Sequence, residues 1–190
     1  MQYLIVGLGN PGKEYAETRH NIGEKVLIEC RPTSGMNWSE KFKGFYGKVR
    51  VRENDCIFLR PQTYMNLSGE SVVKAAQFFK IEPSEILIVH DELDLPYGQV
   101  AFKKGGGLAG NNGLKSVAQC LGTKDFLRLR LGIGRPPHGN VSSWVLSKFT
   151  KDEQITLDDY ITKAGEIVEE FAESDFGAVA TRWSRKSLVN

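Results

Sequence analysis

Gln2-Tyr3-Leu4-Ile5-Val6-Gly7-Leu8-Gly9-Asn10-Pro11-Gly12 is the stretch that decides the fold class. A short apolar run stopped by Gly-rich punctuation reads as a buried strand over residues 2 to 8. A polar segment follows to His20. From Asn21 the spacing of Ile22, Val26, Leu27 and Cys30 predicts a helix, with Asn21 or Thr18 as its cap and Pro32 just beyond its end. The chain therefore begins as strand, loop and helix.

The same stretch matches G-x-G-x-x-G literally, which raises a dinucleotide-binding enzyme as an alternative. That motif needs its third glycine inside a helix whose N-terminus faces the pyrophosphate, and an acidic residue about 20 residues further on at the end of a second parallel strand. Pro11 and the polar segment delay the helix to about residue 21, and Glu29 falls within that helix. The surroundings speak against a nucleotide cofactor.

Further along, Phe45 to Val51 and Cys56 to Leu59 are strand-like runs around Glu53-Asn54-Asp55, which predicts an antiparallel hairpin turning at those three residues. Ser68 to Lys80 reads as a helix capped by Ser68, with Val72, Val73, Ala76 and Phe79 on its apolar face. Ile86-Leu87-Ile88-Val89 is a buried strand running into His90-Asp91-Glu92, and a third helix starts near Asn111 or Asn112 after the loop Gly105 to Gly110. Over Phe126 to Gly134, Leu127, Leu129, Leu131 and Ile133 share one face while Arg128 and Arg130 share the other. Lys151 to about Glu173 is an amphipathic helix, followed by a basic tail with Arg182, Arg185 and Lys186. Alternating strands and helices with an inserted hairpin predict an α/β fold, one domain over residues 1–190 with a mixed sheet between helices.

In such sheets ligands collect beyond the carboxyl ends of the parallel strands. Asn10 and His20 follow the first strand, Thr63-Tyr64-Met65-Asn66 follows the hairpin, and Asp91 ends the central strand. One edge thus gathers a candidate base, His20, and a carboxylate able to hold its tautomer, Asp91. Asn10, Asn66 and Asn112 add uncharged donors and acceptors suited to a carbonyl, a water or an oxyanion. Each amide alone is more often a turn or cap residue, and His20 alone is more often a solvated or capping histidine; it is Asp91 and the shared edge that shift the balance.

No G-x-S-x-G elbow supplies a serine nucleophile. His90-Asp91-Glu92-Leu93-Asp94 is rich in metal-binding types, but adjacent residues of extended chain point to opposite faces, so metal is the weaker reading. Lys103, Lys104, Lys115, Arg128 and Arg130 form a candidate phosphate patch beside the Gly-rich loop, against the alternative of a solvated charged face.

A formal net charge of +2 identifies no nucleic-acid binder by itself, so the distribution of Lys and Arg has to decide. With 41% hydrophobic and 25% charged residues the chain has globular rather than disordered composition. Cys30, Cys56 and Cys120 lack C-x-x-C spacing, which points to neither a disulfide framework nor a zinc cluster. The first residues have no signal-peptide pattern, and no apolar run approaches about 18 residues, so the expected location is cytosolic and away from the membrane.

Taken together, these motifs resemble the bacterial-type peptidyl-tRNA hydrolases over nearly the whole chain. The resemblance is carried by Val6 to Gly12, Tyr15 with Thr18-Arg19-His20-Asn21, Pro61 to Gly69, His90 to Asp94, and Gly105 to Lys115. It implies an α/β domain, usually monomeric, that cleaves peptidyl-tRNA without metal or cofactor. It implies His20 as the base supported by Asp91, and Asn10, Asn66 and Asn112 as substrate-positioning amides. Tyr15 and Met65 would pack around the site, and Lys103 and Arg130 would meet the tRNA 5′ phosphate. One departure stands out: many relatives carry histidine immediately before the asparagine matched to Asn112, where this chain has Asn111. A noncatalytic RNA-binding relative, similar to the chloroplast intron-splicing members of the fold, remains the alternative from another functional class.

Overall fold

The computed structural model describes residues 1–190. Its strands are β1 (Gln2–Gly7), β2 (Ser39–Lys41), β3 (Gly44–Val51), β4 (Asn54–Pro61), β5 (Ile86–Glu92), β6 (Gln99–Lys104), β7 (Leu127–Gly132) and β8 (Ser184–Ser187). The helices are α1 (Ile22–Glu29), α2 (Ser68–Phe79), α3 (Asn112–Leu121), α4 (Val141–Val145), α5 (Lys151–Glu173) and α6 (Phe176–Arg182). All strands join one eight-stranded sheet in the order β2-β3-β4-β1-β5-β7-β6-β8. The four central strands β4, β1, β5 and β7 are mutually parallel, and both flanks are antiparallel. A mixed sheet between helices is the architecture expected from the sequence.

Each face of the sheet has its own apolar core. Ile5, Leu87, Val89 and Leu129 pack with Val26 of α1 and with Tyr160 and Phe171 of α5. Leu4, Val6, Ile57 and Ile88 pack with Val72 of α2 and with Leu114 and Val117 of α3. Burying one such aliphatic side chain stabilises the fold by roughly 1.5–3 kcal/mol, so alternation along β1 and β5 specifies both layers at once.

The first glycines serve this packing. A β-carbon at Gly7 would lie 2.5 Å from the carbonyl oxygen of Gly23, and one at Gly23 would collide with the carbonyl of Val89. Their absence lets the start of α1 settle directly onto β1 and β5, and no helix begins at Gly12 to receive a pyrophosphate.

Several local expectations are corrected. The hairpin pairs Val51 with Asn54, leaving a two-residue turn at Arg52-Glu53 in place of Glu53-Asn54-Asp55. Arg52 takes φ 52°, the left-handed backbone that tight hairpins require. Asn54 is thereby freed to tie the sheet to the end of α5, its Nδ2 donating to Ala172 O at 2.9 Å. Ser68, expected as a cap, is the first residue of α2 and donates to Met65 O at 2.8 Å within a preceding 3-10 turn, Met65–Leu67. Neither Thr18 nor Asn21 caps a helix through its side chain. The basic tail folds into α6 and the edge strand β8. No helix is long and apolar enough to cross a membrane.

Candidate active site

Beyond the carboxyl ends of β1, β4 and β5, three connections converge. The loop after β1 closes in a 3-10 turn, Arg19–Asn21, which carries His20. That loop is held by the Asn21 side chain: Oδ1 accepts from Asn10 N and Nδ2 donates to Asn10 O, each at 2.9 Å. Asn21 therefore does for the loop what it was expected to do for a helix end. Asn10 Oδ1 in turn accepts from Met65 N at 2.7 Å, linking the loop after β1 to the turn after β4.

His20 and Asp91, 71 residues apart in the chain, meet with Nδ1 2.9 Å from Oδ2. Both are buried, at 9% and 4% exposure, in a contact where water competes little. Because a carboxylate only accepts, Nδ1 carries the proton and donates, leaving Nε2 with its lone pair. Burial pushes the imidazolium toward deprotonation, but the charge and hydrogen bond of Asp91 outweigh it and hold the His20 pKa above the ordinary 6.5. The other oxygen of Asp91, Oδ1, faces Asn111 Nδ2 at 3.3 Å.

His20, Asp91, Asn111 and Asn112 line a cavity of about 110 Å³, large enough for several waters. Its other walls come from His90, Glu92 and Leu93 at the end of β5, from Leu108 to Gly110 of the Gly-rich loop, and from Val141, Ser142 and Val145 of α4. Asn112, exposed at the start of α3, is thus brought to the pair. Asn10, Tyr15, Met65 and Asn66 do not line this cavity; of these, Asn10 and Met65 are joined by the hydrogen bond from Met65 N to Asn10 Oδ1. Asn66 is exposed, Met65 is buried, and the Tyr15 ring meets Tyr64 edge-on at 6.4 Å. Met65 packs its sulfur on Gly113, next to Asn112 at the cavity.

On the far side of the Gly-rich loop, Lys103 of β6 is paired in register with Arg128 of β7, and Arg130 lies one side-chain repeat further on the same face. The expected patch is only partly free. Arg128 is 1% exposed and its Nη2 donates to Gly107 O at 2.8 Å and Gly105 O at 3.3 Å, so it braces the loop from beneath. Arg130 remains partly open, with Glu92 at 3.8 Å. Desolvation and the charges of Arg128 and Arg130 all depress the Lys103 pKa, a crowding of positive charge that an anion would relieve.

No three His, Cys, Asp or Glu side chains converge in a way that could hold a metal ion. His90, next to Asp91, turns its Nδ1 to the Asp91 carbonyl at 2.9 Å. Burial, with help from Arg128, pushes its pKa down to about 4, so it is neutral at ordinary pH.

Two parts of the site were missed in the sequence. The wall from α4 spans five residues, too few for a period to be read. Arg19 lay in plain view beside His20, yet a lone arginine in a polar loop gives no sign that it will be buried.

The sequence profile of the family described as peptidyl-tRNA hydrolase matches residues 4–189. The peptidyl-tRNA hydrolase of Geotalea daltonii is 42% identical over 187 residues, covering 98% of each chain. That of Nitratidesulfovibrio vulgaris is 46% identical, covering 95% of each. The crystal structure of the Acinetobacter baumannii peptidyl-tRNA hydrolase superposes with a TM-score of 0.89 at 38% identity, covering 98% of this chain and 96% of that one.

Proposed function

This chain belongs to the peptidyl-tRNA hydrolase family, and we propose that it cleaves the ester between a peptide and the 3′ end of tRNA with His20 as general base and Asp91 as its orienting partner. The observation that carries this reading is the 2.9 Å contact between His20 and Asp91 at the wall of the cavity. With Nδ1–H given to the carboxylate, Nε2 is the atom that takes a proton from water. The water oxygen attacks the ester carbonyl, and the tetrahedral oxyanion is held by amide donors. Collapse of the intermediate expels the ribose oxygen, which recovers the proton from His20.

An ester is already activated relative to an amide, so one placed base and a few amide donors suffice without a covalent intermediate. In this scheme Asn112 serves at the cavity, while Asn10 and Asn66, with Tyr15 and Met65, receive the peptide. Lys103 and Arg130 take a tRNA phosphate, giving affinity without base readout. The same reading has residues 1–190 working as one domain and as a monomer, in the cytoplasm and without metal or cofactor, to return tRNA to translation.

The test is hydrolysis of N-blocked aminoacyl-tRNA beside free aminoacyl-tRNA, with a chelator present. Cleavage of the first and little of the second is expected. Tight tRNA binding without turnover would instead make the chain a noncatalytic RNA binder.

A further inference from the structure

The Gly-rich loop ends on Asn111, and both ends of that side chain are in use. Oδ1 accepts from Leu114 N at 3.1 Å and so caps α3. Nδ2 donates to Asp91 Oδ1 at 3.3 Å and lies 3.5 Å from the Asp91 carbonyl oxygen. Asp91 is therefore held at both carboxylate oxygens by donors from different elements, His20 on Oδ2 and Asn111 on Oδ1. With one donor a carboxylate swings easily about its broad terminal torsion; with two its plane is set.

The choice of residue type has a physical consequence. An amide offers an acceptor for the cap and a donor for the carboxylate at once, with no proton to gain or lose. Histidine at this position would add a group that titrates near neutrality. The titratable groups that feel Asp91 include His20, His90 beside it on β5, and Tyr160 from α5. Glu92, the other β5 neighbour, faces Arg130. Burial lowers His90 to about 4 and pushes Tyr160 well above its usual value, which leaves His20 as the group among these three that changes charge near neutral pH.

We propose that Asn111 is a positioning residue for the hydrolysis: by joining the first turn of α3 to Asp91 it fixes the carboxylate plane, and through it the tautomer and aim of His20. The seating of the Gly-rich loop and the readiness of the base are then one event. This rests on the reading of His20 as base.

Two substitutions separate the cap from the anchor. Asn111→Asp keeps an acceptor for Leu114 N–H but deletes the donor and sets a second carboxyl beside Asp91. Asn111→Ser also keeps a cap acceptor, and its side chain is too short to reach Asp91. For each full-length variant, kcat and KM for N-acetyl-aminoacyl-tRNA are measured from about pH 5.5 to 9. For Asn111→Asp, kcat falls about tenfold or more with KM within about twofold, and the acidic limb moves to higher pH because the added charge holds the His20 proton. For Asn111→Ser, kcat falls comparably and the limb stays in place. Wild-type kcat in both variants, or a change confined to KM, overturns the proposal. His20→Ala, assayed beside them, separates the two levels. If it is inactive while both Asn111 variants are normal, only the Asn111 role fails; if it is fully active, the base assignment fails and the Asn111 role with it.

Discussion

The guanidinium of Arg19 lies 3.4 Å from the ring of Trp144, so the residue preceding the proposed base is also the one that grips the opposite wall of the cavity. Its Nη1 donates to Lys148 O at 2.7 Å and to the Ser147 hydroxyl, and its Nη2 donates to Glu153 Oε1 at 3.0 Å. Glu153 accepts at the same oxygen from Thr150 N at 2.9 Å, closing the capping box of α5. One planar fork thus ties the His20 turn to α4 and to the start of α5, a geometry that an ammonium cannot copy.

Arg19→Met removes the cation, leaves the Glu153 carboxylate with only the Thr150 N–H, and takes a donor from the carbonyls of Lys148 and Trp144. A loss of about 3 kcal/mol in urea unfolding is expected. Arg19→Lys should recover part of that stability but not kcat, because the wall and the turn are no longer held in register. Full activity in Arg19→Lys would show that the charge matters and the fork does not.

The pH dependence of turnover follows from the raised His20 pKa. A base must be neutral to act, so kcat/KM should fall on the acidic side of an ionisation above 6.5. Asp91→Asn removes the charge that holds the proton, leaving burial to favour the neutral ring. The acidic limb should then move down while the rate plateau drops, since the amide also accepts either tautomer. An unmoved limb in Asp91→Asn would separate the measured ionisation from this pair.

His90 has the opposite sign. Its folded pKa lies near 4, below the ordinary 6.5, because the buried ring resists charging. It contributes fully above about pH 6.5, and that contribution is lost as pH falls toward 4, by about 3 kcal/mol across the window. His20, with its raised pKa, has its contribution in place below 6.5 and loses it as pH rises. The comparison that isolates His90 is therefore wild type against His90→Gln by urea midpoint at several pH values. The gap should narrow on acidification, and a constant gap would contradict the buried neutral ring.

How much of this was legible in the sequence depends on whether the signal was local. β1, β5 and the helix after Asn21 could be read because apolar spacing alone specifies them. The edge gathering His20 and Asp91 followed from strand polarity. The contact between them did not, since nothing in the sequence reports the register β1 to β5 that sets their separation. β6 was missed because Val100-Ala101-Phe102 is a brief apolar run beside two lysines, and β2 and β8 because three or four polar residues carry no period of their own. Arg128 and Arg130 were rightly placed on one face, but their different fates depend on the Gly-rich loop folding over only one of them.

That division makes a specific expectation for tRNA binding. Lys103→Ala with Arg130→Ala should raise KM about tenfold or more, leave kcat nearly unchanged, and reduce the slope of log affinity against log salt by about one to two. Arg128→Ala should instead act through the loop it braces and lower stability. A kcat defect in the double variant with an unchanged salt slope would contradict the phosphate role.

The most direct measurement is single-turnover hydrolysis of N-acetyl-aminoacyl-tRNA by His20→Ala, with tRNA affinity determined on the same preparation. Loss of the chemical step by about a hundredfold or more, with affinity within about twofold, is the expected result. A chemical step at the wild-type rate would contradict the assignment of His20 as the base.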